Sequence, residues 1–151
     1  MIATFREKVR TLLTMGESPH KLGLAFAVGV FIAFSPLIGA HTAMAAVSVW
    51  AFRFNPIAIF MGAFINNPWT FVPIYAACLW LGMRLSPGGG ALPPISMEGL
   101  TFSGFLVQFK PYLMPFVVGT TVVGVVAAVA GYLAMVALIK AYRGRKAASD
   151  A

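Results

Sequence analysis

Apolar residues fill long stretches of this chain, and the polar residues that interrupt them fall at a few defined points. Four largely apolar runs come in two pairs, with a Ser-Pro or Asn-Pro step inside each pair: residues 22–34 and 37–52 around Ser35-Pro36, and residues 57–66 and 69–83 around Asn67-Pro68. Each run is shorter than the ~20 residues that a simple membrane-spanning helix needs. Ser and Asn are good helix N-caps, and Pro is favoured at the first helical position because it has no N–H to leave unpaired. Ser18-Pro19 and Asn55-Pro56 come before the first run of each pair in the same way. The pattern therefore predicts two pairs of short helices, with a helix beginning at each of these four Pro residues.

Both breaks have apolar sequence on either side, which indicates that they lie at membrane depth. Backbone freed from helical hydrogen bonding inside a bilayer is tolerated only where protein or a water-filled cavity covers it. Transporters use such broken helices to build binding sites. The sequence therefore predicts an all-α integral membrane protein with a first broken hairpin at residues 20–53 and a second at residues 56–84. Each hairpin is either one long kinked pass or a re-entrant hairpin that enters and leaves on the same face.

A short sequence match links the two predicted hairpins. Gly29-Val-Phe-Ile32 precedes the first break, and Gly62-Ala-Phe-Ile65 precedes the second. Two similar hairpins predict an internal repeat, and inversion across the membrane is one arrangement that transporters use. The alternative is a chance match within a strongly biased composition.

The remaining segments complete a single membrane domain of 151 residues. Residues 2–15 interleave apolar and basic positions at helical spacing, which predicts an amphipathic helix on the membrane surface. Residues 85–100 are rich in Gly and Pro and predict a loop. Residues 112–140 predict a C-terminal transmembrane helix, because their apolar part would extend ~42 Å as a continuous helix. Small residues spaced four apart within 119–131 would let another helix approach closely.

Composition strengthens the membrane prediction and sets the orientation. The chain is 60% hydrophobic and 10% charged, whereas a soluble domain is usually about one-quarter charged. The net charge is +7, and basic residues such as Arg6, Lys21, Arg143 and Lys146 lie towards the two ends. This positive-inside pattern predicts that both termini are cytoplasmic. Anionic lipid headgroups are compatible partners of these ends, and nucleic acid is not expected.

Several short motifs together resemble a bacterial membrane family. The residues that carry the resemblance are Gly16-Glu-Ser-Pro-His20, Ala25-Phe-Ala-Val-Gly29-Val-Phe31, Phe34-Ser-Pro36 with Gly39 and Thr42, Asn55, and Asn67-Pro-Trp-Thr70 with Pro73 and Tyr75. They are similar to the family called domain of unknown function 2062, over about residues 10–140. The resemblance implies a bacterial inner-membrane protein without an assigned activity. Some relatives are fused to enzymes of cell-envelope glycan assembly, which implies an envelope setting.

The candidate ligand-binding residues lie at the two breaks and at nearby helix ends. They are Ser35, Pro36, Gly39, His41, Thr42, Arg53, Asn66, Asn67, Pro68 and Thr70. Asn67 is the strongest candidate, because backbone N–H groups and the helix dipole at the start of a helix favour an anion. Ser35 occupies the equivalent place at the first break. The alternative is that both residues only cap their own helices.

Two kinds of basic side chain could add to such a site. His41 is the only imidazole inside an apolar run, and it could take a proton or contact a phosphate. The alternative is a neutral His41 that bonds a neighbouring helix. Arg53 and Arg84 could hold an anionic headgroup as a guanidinium pair, or each could reach the interface from a helix C-terminus.

Known catalytic patterns do not occur in the sequence. There is no P-loop, dinucleotide fingerprint, carboxylate pair or His/Cys metal spacing, so neither an enzyme nor a bound cofactor or metal is expected. The preferred hypothesis is a transporter or flippase for an anionic, phosphate-bearing envelope lipid or small solute, acting as a homodimer that encloses a pathway. The alternative is a non-transporting anchor or partner of an envelope glycan-assembly enzyme, docked through the small-residue face of residues 119–131.

Overall fold

The computed structural model describes residues 16–37, 39–87 and 101–149, and the regular structure in these residues is entirely helical. The α-helices follow in chain order: α1 (Pro19–Phe34), α2 (His41–Phe52), α3 (Pro56–Ala63), α4 (Pro68–Leu85), α5 (Phe102–Phe109) and α6 (Leu113–Ser149). A 3-10 turn, Lys110–Tyr112, joins α5 to α6. The predicted helix at 2–15 and most of the predicted loop at 85–100 lie outside the described residues. For the described residues, the all-α prediction is confirmed.

Ser-Pro and Asn-Pro steps start three of these helices, as the sequence predicted. Ser18, Asn55 and Asn67 cap α1, α3 and α4, and a Pro occupies the beginning of each helix. Ser35 behaves differently, because α1 ends at Phe34 and Ser35 is its C-cap rather than the N-cap of a new helix. The chain then reverses before α2, with Gly39 at a φ of 88°. Glycine adopts this left-handed conformation without steric cost. The predicted helix start at the Ser35-Pro36 step is therefore wrong.

Hydrogen bonds at the two ends of α1 define the arrangement of the first three helices. The side-chain Nδ2 of Asn55 donates to the Glu17 carboxylate at 3.0 Å, so α2 brings the chain back to the end where α1 began. The Nδ2 of Asn66 donates to the carbonyl oxygen of Ala33 at 2.8 Å, so the chain after α3 meets the other end of α1. Helices α1 and α2 thus form an antiparallel hairpin, and α3 runs parallel to α1.

Helices α1 and α3 approach closely at a pair of glycines, Gly29 and Gly62. A Cβ atom added at Gly29 would overlap the carbonyl oxygen of Ile59, and one added at Gly62 would overlap that of Phe26. The contact is reciprocal, because each glycine meets the backbone one turn before the other. Both glycines belong to the matching segments of the sequence. The match therefore corresponds to two parallel helices in contact, and these segments are not inverted relative to each other.

Helix α6 packs antiparallel on α1 from Gly124 to Arg143. Gly124 lies against Phe34 at the end of α1, and Arg143 Nη2 donates to the backbone carbonyl of Glu17, just before α1, at 2.9 Å. The core lies where α1, α3 and α6 meet. Its fully buried side chains include those of Leu22, Ile59 and Ile139.

The first half of α6 packs against α4. A Cβ atom at Gly82 would overlap the carbonyl oxygen of Pro115, and one at Gly119 would overlap that of Cys78. Cys78 of α4 shares a hydrophobic cluster with Ala33 and Phe34 at the end of α1. Because α1 occupies α6 from Gly124 onward, the later part of α4, around Gly82, lies beyond the end of α1. The sequence predicted a second hairpin over residues 56–84, and the structure differs. Helix α4 runs antiparallel to α6, since Cys78 meets Gly119 and Gly82 meets Pro115, and it therefore continues in the direction of α3.

One helical stretch among the described residues, Val107–Ala148, is long and apolar enough to cross a membrane. It includes α6 as far as Ala148, where the sequence predicted the transmembrane helix. Only 22% of its most apolar 18 residues are buried. Large apolar side chains are also exposed on the other helices, most of all Trp50 (84% exposed) on α2 and Trp69 (90% exposed) on α4.

Candidate functional site at the helix breaks

The two helix breaks meet in a small polar network around the end of α1. The carbonyl oxygen of Ser35 accepts hydrogen bonds from the Tyr75 hydroxyl at 2.9 Å and, in the tautomer that carries a proton there, from His41 Nε2 at 3.2 Å. The neighbouring carbonyl of Ala33 accepts from Asn66 Nδ2, which also lies 3.2 Å from the Tyr75 hydroxyl. Side chains from three different segments thus satisfy carbonyl groups that the end of a helix leaves free.

This network lies near the middle of the apolar length of α6. Phe34, directly before Ser35, packs against Gly124, and Gly124 stands close to the centre of the apolar residues 112–139. Helices α1 and α3 lead to the network from one end of the molecule, and α4 leads away from it towards the other. The structure therefore brings the two predicted breaks together at half depth along its longest apolar helix.

Asn66 carries an unused acceptor inside this network. Its Nδ2 makes both of the contacts described above, whereas its Oδ1 is buried and has no hydrogen-bond partner in the described part of the chain. A buried acceptor without a donor costs free energy, on the order of 1–3 kcal/mol. The position of Oδ1 is therefore one where a hydrogen-bond donor from a ligand or a water molecule would be stabilised.

The side-chain oxygens of Asn67 and Thr70, by contrast, make hydrogen bonds that start their own helix. Asn67 Oδ1 accepts from the backbone N–H groups of Trp69 at 2.9 Å and Thr70 at 3.1 Å. The Thr70 hydroxyl contacts the Asn67 N–H at 3.0 Å and donates to the carbonyl of Ile65 at 2.8 Å. Pro68 has no N–H to offer. The capping alternative thus describes Asn67 in this structure, and the start of α4 presents no free donors in its first turn.

The start of α2 is built differently. Its N-cap position is Ala40, and no side chain caps the helix. His41 and Pro36 are half-buried. Gly39 and Thr42 are exposed. The positive end of a helix dipole is therefore left without a capping side chain beside the polar network. Of the two predicted anion sites, the structure leaves the one at the first break open.

Arg53 and Arg84 stand at opposite ends of the molecule. Arg53 is exposed at the end of α2, next to Asn55 and hence beside Glu17. Arg84 is exposed near the end of α4, where its guanidinium lies 4.8 Å from the ring centroid of Trp80. The contacts of α1 and α4 along α6 place roughly 40 Å of helix between these two ends. A guanidinium pair that holds one headgroup is therefore excluded, and each Arg stands alone at a helix end.

Tyr75 is a residue of the network that is missing from the candidate residues of the sequence, where it contributes only to the family resemblance. A signal was present, because Tyr75 is the only Tyr in the two pairs of apolar runs and a buried Tyr hydroxyl usually has a hydrogen-bond partner. Glu17 was also passed over as a structural residue. It accepts from Asn55, and its other carboxylate oxygen lies 3.4 Å from Lys21 Nζ.

These features define an α-helical protein with one long apolar helix and a polar junction between broken helices. The chain belongs to the family described as uncharacterized protein conserved in bacteria (DUF2062), which it matches over residues 2–148. The resemblance noted from its motifs is thereby confirmed. No curated protein and no solved structure matches the chain.

Proposed function

We propose that this chain is an integral protein of the bacterial inner membrane with both termini in the cytoplasm. The exposure of α6 supports this, because the core helix of a soluble protein of this length would be mostly buried. The contact of Arg143 with Glu17 supports a common side for both ends of the chain. Basic residues concentrate at that end, as expected for the cytoplasmic face.

In this proposal, the α1–α2 hairpin is re-entrant and α3 with α4 makes one broken crossing. Helix α1 has 16 residues and α2 has 12, which correspond to ~24 Å and ~18 Å. Both are shorter than the ~30 Å hydrocarbon core. The contacts of α4 with the first half of α6 support a continuation to the other face, and α6 then returns the chain to the cytoplasm.

The proposed activity is transport or flipping of an anionic, phosphate-bearing envelope lipid or small solute. The observation that carries it is the meeting of both helix breaks in a polar network near the middle of α6. Such irregular backbone at membrane depth occurs where it lines a protein-covered or water-filled site. The start of α2, with His41 and Thr42, has no capping side chain, and it presents the positive end of the helix dipole to the phosphate. Asn66 Oδ1 is an acceptor for a hydrogen-bond donor of the ligand. A homodimer would enclose the pathway.

Lipid transport in reconstituted vesicles tests this proposal. Vesicles that contain fluorescent phosphatidylglycerol report transbilayer movement as loss of protection from an external quencher. We expect Asn66→Ala to slow movement at least tenfold, because it removes both the buried acceptor and the contact with Ala33. Asn67→Ala is the matched control, and we expect it to transport at nearly the wild-type rate once its folded fraction is measured by circular dichroism.

A different result would refute the transport function. Equal rates of lipid movement in vesicles with the wild-type protein and in protein-free vesicles would exclude lipid transport. An unchanged rate with folded Asn66→Ala would exclude the polar network as the transport site. Phosphate-loaded vesicles distinguish a small solute from a lipid, because release of free phosphate without lipid movement identifies the solute.

The second candidate is a non-transporting membrane anchor for an envelope glycan-assembly enzyme. The completed cap of Asn67 favours it, since that polar group serves only its own helix. Within the chain, Gly119 packs on α4, and Gly124 and Gly131 pack on α1, so these glycines are less available for a partner than the sequence suggested. A partner would instead contact exposed surfaces such as the Trp50 side of α2. Loss of a co-purifying envelope enzyme in Trp50→Ala, with transport absent in wild type, would favour this candidate.

A further inference from the structure

Helix α2 is the least enclosed of the helices in the α1–α3 unit. Ala45 is its only buried residue, whereas α1 has nine buried residues along its length. Its outward side chains include Val47, which is 61% exposed. Helix α1, on the other hand, is held by close contacts with both α3 and α6. Few buried apolar contacts are the property that lets an element open at low free-energy cost.

Residues with positive φ flank α2 at both ends. Gly39 has a φ of 88° and Arg53 has a φ of 50°, and no other described residue has a positive φ. Arg53 is the C-cap of α2, in a left-handed conformation that is costly for a residue with a Cβ atom. Hinges are loop or helix-end positions that absorb large changes in φ and ψ. The two ends of α2 are thus the points where a rotation of this helix would be absorbed.

Among the described residues, two weak contacts join the start of α2 to the polar network. His41 Nε2 lies 3.2 Å from the Ser35 carbonyl oxygen, and the Ser35 hydroxyl lies 3.9 Å from Met44 Sδ. When His41 moves away from the Ser35 carbonyl, that carbonyl keeps a hydrogen-bond donor, because the Tyr75 hydroxyl still donates to it at 2.9 Å. The network therefore remains satisfied on its α4 side when α2 moves away.

Helices α1, α3, α4 and α6 are fixed in pairs by close backbone contacts. Backbone contacts at Gly29 and Gly62 fix α1 against α3, and those at Gly82 and Gly119 fix α4 against α6. Any sliding at these points would drive carbonyl groups into neighbouring backbone. A movement that exposes the polar network must accordingly occur at α2.

We propose that α2 is a gate that swings about Gly39 and Arg53 and uncovers the polar network at the helix breaks. His41 is the latch that holds the gate closed on the Ser35 carbonyl. The role of the uncovered network as a ligand site rests on the proposed function, whereas the movement of α2 stands on the packing alone. In the closed state described by the structure, His41 and Met44 of α2 contact Ser35 of the network, and opening gives a phosphate-bearing ligand access from the cytoplasmic side.

Hydrogen exchange read by mass spectrometry, with the full chain in phosphatidylcholine nanodiscs, tests the gate. We expect amides of α2 to exchange at least tenfold faster than those of α1. In His41→Ala, α2 should exchange roughly fivefold faster still, because a neutral hydrogen bond is lost, and α1 should be unchanged. His20→Ala is the matched control, since His20 bonds Tyr132 outside the network at 2.7 Å.

The same measurement in nanodiscs of phosphatidylglycerol tests whether the gate responds to an anionic headgroup. We expect protection of α2 to increase while that of α1 stays constant. Equal exchange of α1 and α2 in the wild-type protein would overturn the proposal even if His41→Ala fails to fold. Faster exchange throughout His41→Ala would identify a general loss of stability and would also overturn the latch. Vesicle transport is measured separately, so a rigid α2 in an active transporter refutes the gate alone.

Discussion

The close approach of α1 and α3 gives a quantitative prediction for Gly62→Ala. A Cβ atom at position 62 would overlap the carbonyl oxygen of Phe26 and lie 2.7 Å from the backbone nitrogen of Val30. Ordinary contacts between such atoms begin at about 3.5 Å, so the two helices must separate by roughly 0.8 Å or more. Both sides of the contact are helical backbone, and neither can move aside as a flexible side chain would.

The free-energy change follows from two opposing effects. Overpacking costs about 1–3 kcal/mol, and the rigid backbone at this contact favours the upper end. The higher helix propensity of Ala returns about 1 kcal/mol. We therefore expect Gly62→Ala to lower the free energy of unfolding by about 2 kcal/mol, which is a roughly 30-fold change in the folding equilibrium.

Thermal unfolding in mild detergent, followed by circular dichroism at the helical band, measures this change. Gly144→Ala is the matched control, because a Cβ atom at Gly144 meets nothing within 4 Å and only the propensity gain remains. The double variant Gly29→Ala/Gly62→Ala should cost less than the sum of the single variants, since the first substitution already separates the helices. A melting temperature of Gly62→Ala equal to that of Gly144→Ala would refute the packing argument.

Three further predictions concern the cap, the network and the orientation. Asn67→Ala should lower the free energy of unfolding by about 1 kcal/mol, and Asn67→Ser should restore most of it, because Ser is a comparable N-cap that brings no charge to membrane depth; equal melting of all three proteins would contradict this. Tyr75→Phe should cost about 1 kcal/mol in the same assay, because the Ser35 carbonyl retains His41 as a donor, and a loss above ~3 kcal/mol would mean that His41 does not share this carbonyl. Alkaline phosphatase fused after Arg143 should be inactive, and a green fluorescent reporter fused there should fluoresce. The reason is that Arg143 lies with Glu17 at the end of the bundle that we propose to be cytoplasmic. An active phosphatase fusion would reverse the proposed orientation.

Local chemistry in the sequence was sufficient for much of the fold. A Pro preceded by Ser18, Asn55 or Asn67 starts a helix wherever it stands, because the cap and the missing N–H act within a few residues. The long apolar run ahead of Lys140 is a helix for the same local reason. Ser35 was the exception, since a Ser-Pro step also suits the end of a helix that turns back, and only the packing of α2 decides between the two.

The candidate site was also predictable from the sequence only in part. The sequence located both helix breaks and the residues beside them, because Ser, Asn, His and Thr are conspicuous within apolar runs. It did not determine their partners, since the bonds of Asn66 to Ala33 and of Tyr75 to Ser35 join residues 33 and 40 positions apart. The proposed guanidinium pair failed for the same reason, because separation along the chain does not give the distance between Arg53 and Arg84.

The sequence by itself determined the helical class, most of the helix starts and the apolar length of α6, since these depend on composition and on neighbours within one or two turns. Only the tertiary structure decided that α4 continues past α1 instead of forming a second hairpin. That outcome depends on where glycines permit backbone contact, at Gly29 with Gly62 and at Gly82 with Gly119. Such contacts are properties of two surfaces together, and no single segment of the chain contains both.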